Sequence, residues 1–135
     1  MRGMSLLFVA TALAGCSTAI EPQQRSVQAE YELGRALHGK VAQKPVSCLS
    51  NFRSGDMTTI DDGTILFRQG RTVYRNDLNG GSCNGLGSGH YALVTKSFGG
   101  GLCRGDIAEV RDVSGGFAVG SCVMGDFVPY TDPRG

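Results

Sequence analysis

Five cysteines carry most of the chemistry available to this 135-residue sequence. Four of them, Cys48, Cys83, Cys103 and Cys122, are widely spaced. An even set of this kind in a small domain reads as a disulfide framework. No C-x-x-C pair is present to cradle a metal ion, so no metal site is assigned. Four thiols allow three pairings. Closing the shortest loops favours Cys48–Cys83 together with Cys103–Cys122. Arginine supplies the second candidate chemistry. Arg71, Val73 and Arg75 alternate onto one face of a strand, and Arg68 lies just across a tight turn. Arg68, Arg71 and Arg75 together would form an anion-binding stripe able to grip phosphate or carboxylate groups, unless they are only a solvated sheet face.

Catalytic groups are sparse. There are two histidines, His38 and His90, and no G-x-S-x-G or H-E-x-x-H motif. Ser88-Gly89-His90 is the nearest approach to a nucleophile beside a base, and it sits in a turn. Asp61 and Asp62 are a turn pair, while Asp106, Glu109 and Asp112 share a strand, where acids are ordinarily solvated. Arg104-Gly105-Asp106 reads as a turn that opens a strand. The glycines of the loop at 79–89 lack the strand–loop–helix setting of a phosphate cradle. No catalytic residue and no cofactor are assigned, and the expectation is a protein that is not an enzyme.

The fifth cysteine, Cys16, ends the run Leu13-Ala14-Gly15-Cys16 behind a short apolar stretch and Arg2. This resembles the lipobox of bacterial lipoproteins, in which the cysteine is lipidated and becomes the mature first residue. The apolar stretch from Leu6 to Ala14 is too short to span a bilayer, which takes about 20 residues in a helix. The resemblance implies a signal peptide over 1–15 and Cys16 carrying acyl chains such as palmitate. More than one chain makes such attachment stable. Ser17 in place of an aspartate implies sorting to the outer membrane, facing the periplasm. Lipidation also accounts for the odd cysteine.

The remaining chain is long enough for one domain. There are 13 basic and 12 acidic residues, and losing Arg2 with the leader leaves the two signs equal. Such balance argues against nucleic acid as a partner. With 21 glycines and no tryptophan, the core must come from scattered aliphatic, Phe and Tyr side chains, and disulfides would supply much of the stability.

The segment 16–25 reads as the lipidated end and a polar tether. Ser26 caps a helix over 27–38, stopped by Gly39, so 26–39 is a helical segment. From 45 to 135 the chain reads as a β-rich domain, with strands at 57–60, 64–69, 72–76, 90–97, 106–113 and 117–123 separated by turn residues. Pro129 and Pro133 are expected to keep the tail at 125–135 from pairing. The fold class is therefore mainly β, or α+β with one N-terminal helix. The strands would form a small, disulfide-bonded antiparallel sheet or a partly closed barrel.

PVSCL (45–49), DDGTILFRQGRTVYRNDL (61–78), GSCNGL (81–86), LCRGDIAEV (102–110) and GSCVMGDFVPY (120–130) resemble an uncharacterised family of small exported proteobacterial proteins, often lipoproteins. The resemblance implies a shared fold and a structural role for the four cysteines, and no activity. Ser88-Gly89-His90-Tyr91 also resembles a loop of the membrane-bound lysozyme-inhibitor family, with His90 where that family has arginine. The expected function is a membrane-anchored, non-enzymatic binding or envelope-structural module of the cell envelope, with the loop at 79–89 as contact surface. Its partners would be the membrane and an envelope protein or wall component. The alternatives are an inhibitor of wall-degrading enzymes and an envelope hydrolase.

Overall fold

Helix α1 (Val27–Leu37) begins where the sequence places its cap. The Ser26 side chain accepts a hydrogen bond from the Ala29 N–H, satisfying one of the free donors of the first turn. Glu30 in the first turn and Arg35 in the last complement the helix dipole. His38 forms the C-cap, and Gly39 follows with φ 72°, a left-handed conformation that ends the helix. The computed structural model describes residues 25–50, 53–97 and 99–134. The leader expected at 1–15, Cys16 and residues 17–24 of the tether expected at 16–25 lie outside the described residues; Arg25, the last residue of that segment, is bonded to Asp61 and Thr64 of the sheet.

Among the described residues eleven strands follow: β1 (Val41–Ala42), β2 (Cys48–Ser50), β3 (Met57–Asp61), β4 (Thr64–Gln69), β5 (Thr72–Asp77), β6 (Asn79–Ser82), β7 (Tyr91–Lys96), β8 (Gly101–Cys103), β9 (Ile107–Asp112), β10 (Ala118–Val123) and β11 (Phe127–Thr131). They form three open antiparallel sheets, ordered β1-β11-β5-β4-β3, β6-β10-β9-β7 and β2-β8. The mainly-β fold with one N-terminal helix is as expected; the sheets do not close into a barrel.

β4 is buried on both faces, which explains its unbroken apolar run rather than an alternation. Ile65 and Phe67 enter the main core with Leu49, Leu102, Val110, Met124 and Phe127. Phe67 and Phe127 meet edge-to-face, with centroids 5.6 Å apart. Leu66 faces the other way, joining Ile60 and Val73 beneath Ala29 and Leu33 of α1.

The disulfides are Cys48–Cys103 and Cys83–Cys122, not the local pairs expected from loop length. The register explains the correction. In the β9–β10 hairpin Ala108, not Cys103, lies opposite Cys122. Cys103 belongs instead to β8, where it faces Cys48 of β2 directly, with Cα atoms 4.0 Å apart. Cys83, just past β6, is bonded to β10, the strand beside β6.

The tail also departs from expectation: β11 pairs with β5 on one side and β1 on the other. The Pro129 carbonyl accepts from the Gln43 N–H, so its backbone groups point away from β5. The missing proline N–H therefore removes no bond from the β5 ladder.

Candidate functional site

The five-stranded sheet presents Ile60, Leu66 and Val73 to α1, and the alternation of β4 and β5 places Arg68, Arg71 and Arg75 on that same face. Helix α1 packs on that face through Ala29 and Leu33, and Arg68 and Arg75 line different clefts near its opposite ends. Arg68 lines a cleft of about 540 Å³ near the C-terminal end of α1, with the cations Arg35 and Lys40, the acids Glu32, Asp56 and Asp132, and His38. Arg75 lines a second cleft of about 740 Å³ near the N-cap. The expected stripe is thus not a single cluster.

Most of its charge is already matched. In the second cleft Arg25 Nε donates to Asp61 at 2.5 Å and Arg25 Nη2 donates to Thr64 Oγ1 at 2.6 Å. Thr64 Oγ1 in turn donates to Asp77 at 3.0 Å, which also accepts from Arg75 Nε at 2.9 Å. Burial disfavours the Asp61 carboxylate, but the hydrogen bond from Arg25 and those from the Gly63 and Thr64 backbone outweigh it, so its pKa lies below the ordinary value. This network is closed on itself.

The first cleft is different. Lys40 Nζ donates to Asp132 at 2.9 Å and to the Arg71 carbonyl at 2.9 Å. Arg71 Nη2 reaches the other Asp132 oxygen at 3.1 Å. Hydrogen bonds from Lys40, and then from Arg71, hold the Asp132 carboxyl below its usual range. Arg35 and Arg68 have no side-chain hydrogen bond or ion pair among the described residues. Two guanidinium groups therefore remain unpaired at a polar cleft, able to form bidentate bonds to a carboxylate or phosphate.

The other candidates have structural work. Asp61 Oδ1 accepts from the Gly63 N–H and Asp62 Oδ1 from the Gly87 N–H. Asp106 Oδ2 accepts from the Cys103 N–H, and Asp112 Oδ1 from the N–H groups of Ser114 and Gly115. Glu109 lies between Lys96 and Arg111. Arg104-Gly105-Asp106 is a turn, with Gly105 at φ 91°. His38 is at the C-cap of α1, whereas His90 precedes β7, so the two histidines belong to different elements. Among the described residues, no group of three His, Cys, Asp or Glu side chains is placed to hold a metal ion. None of the helices among them is long and apolar enough to cross a membrane.

Sequence reasoning missed Arg35 and Lys40, because only the docking of α1 brings them to Arg68. The available signal was the basic residue in the last turn of the helix. No family model, curated protein or solved structure matches this chain.

Proposed function

We propose that this protein is a non-enzymatic binding module, of the small exported proteobacterial kind it resembles, held at the cell envelope by acyl chains on Cys16. Its ligand is an acidic group, a carboxylate or phosphate, of an envelope polymer or partner protein. The observation that carries this reading is the pair of guanidinium groups, Arg35 and Arg68, that have no side-chain partner among the described residues and share one cleft beside α1. Charged hydrogen bonds of this type contribute about 1.5–3 kcal/mol each. Arg68→Ala is therefore expected to weaken binding of inorganic phosphate or a muramyl peptide by about tenfold or more. Titration of the mature protein, followed through its backbone amide resonances, measures this, with Arg104→Ala as a control remote from the cleft. Unchanged affinity in Arg68→Ala and Arg35→Ala, or no saturable shift with millimolar probe, rejects the site.

A second reading, inhibition of wall-degrading enzymes, is favoured by one end of the molecule. The exposed turn Ser88-Gly89-His90 lies beside the β9–β10 hairpin, with the His90 carbonyl accepting from the Val113 N–H. Val113 and Phe117 are exposed at that hairpin tip. A lysozyme activity assay decides: loss of activity with excess protein, relieved by His90→Ala and Phe117→Ala, would replace the anion-binding reading.

A further inference from the structure

Helix α1 buries Ala29, Leu33, Ala36 and Leu37 against the sheet. A surface helix ordinarily turns polar residues to solvent on the opposite side. Here that side carries Val27, Tyr31 and Gly34, with His38 at the C-cap. Val27 is 89% exposed and Tyr31 63% exposed. Their spacing of four, three and four residues is that of alternating d and a positions of a heptad, the seam by which two helices pack. Gly34 lets a second backbone approach closely.

The flanks carry a matching charge pattern. With Tyr31 at an a position, Glu30 occupies g and Arg35 occupies the following e. In a parallel pair of helices these positions face each other across the seam, so Glu30 of each copy would meet Arg35 of the other. Both side chains are exposed. Glu30 is held only by a 3.4 Å contact to Arg25, while Arg35 has no side-chain partner among the described residues. An amphipathic helix that lies on lipid has basic flanks instead; the acid Glu30 beside this seam disfavours that occupant.

The geometry points to a second copy of this chain as the partner of the outer face of α1. It would be packed in parallel through Val27, Tyr31 and Gly34, with two symmetric Glu30–Arg35 ion pairs, so that pairing and anion binding compete for Arg35 while Arg68 stays with the cleft. An 11-residue helix offers less contact than the standard interface of about 1,600 Å², so the pair is weak in free solution. Tethering on one surface raises the effective concentration and orients both helices alike. To that extent the inference rests on the Cys16 anchor.

The test uses the lipidated protein in phosphatidylethanolamine–phosphatidylglycerol vesicles, with single cysteines introduced for oxidative crosslinking. Val27→Cys and Tyr31→Cys are expected to give same-site dimers about tenfold faster than Ser114→Cys at the remote hairpin tip. Starting from Tyr31→Cys, E30R or R35E alone should lower the yield several-fold, and E30R with R35E together should restore it. Equal rates at all three sites, or no restoration in the double variant, overturns the parallel seam. Since the chain has no tryptophan, Tyr31→Trp is a unique probe; quenching by brominated lipid would assign the face to the membrane instead. Vesicle flotation separates the two hypotheses. Protein that fails to float removes the anchor, and the same crosslinking ratios in concentrated detergent solution then judge the seam alone.

Discussion

Asn76, in β5, is fully buried, and its amide is shared between both backbone polar groups of Gly125. Nδ2 donates to the Gly125 carbonyl at 2.8 Å, and Oδ1 accepts from the Gly125 N–H at 3.0 Å. A Cβ at Gly125 would collide with the Asp77 carbonyl, so backbone approach and side-chain bonding specify this contact together. Asn76→Ala should cost about 2–4 kcal/mol, because it leaves buried groups unpaired and opens a cavity. Denaturant unfolding of the oxidised protein measures it, and a loss below about 0.5 kcal/mol would mean the network contributes little. Asp61 gives a second residue-level prediction. Its carboxyl has a folded pKa below the unfolded value, so its contribution is complete above about pH 4 and disappears as pH falls through the lower, folded value. Thermal unfolding across the acid range should show a shallower loss in Asp61→Asn than in the parent protein.

At the scale of elements, the disulfides join strands that the chain order keeps apart. The cross-links close loops of 55 and 39 residues, and each stabilises by about 4 kcal/mol on the chain-entropy estimate. Their surroundings differ: Cys83 and Cys122 are 5% and 4% exposed, whereas Cys48 is open to solvent. Thiol exchange needs access to a sulfur. Graded reduction, with alkylation and mass analysis, should therefore open Cys48–Cys103 well before Cys83–Cys122; simultaneous opening would contradict the burial difference. Element positions were largely legible in the sequence. The Ser26 cap, the turn residues after β3 and β4, and the alternation of β9 come from neighbouring residues alone. β6 and β8 are not legible in the sequence: β6 is half glycine, and β8 is a three-residue strand opening on Gly101, where a Cβ would collide with the Leu49 carbonyl, a close approach that exists only once β2 and β8 pair. β11 was obscured by Pro129, whose missing donor faces away from the β5 ladder.

For the whole molecule, α1 has two roles: it covers the Leu66–Val73 face, and it divides the arginines of that face between two clefts. It also directly follows the segment expected as a tether, so an anchor at Cys16 would keep both clefts near a membrane surface. Cys16→Ser is expected to release the protein from membranes, and intact mass of the parent species should show the acyl groups. Membrane partitioning that survives this substitution would reject lipidation as the tether. The sequence by itself determined what short-range forces decide: the helix and its cap, most strands, the turns, and the cysteines as a structural set. Tertiary structure alone decided which cysteines meet, which cations are matched and which face of α1 is left open. These depend on contacts between residues far apart in the chain. Strand register and helix docking select those contacts from alternatives that composition and spacing leave equal.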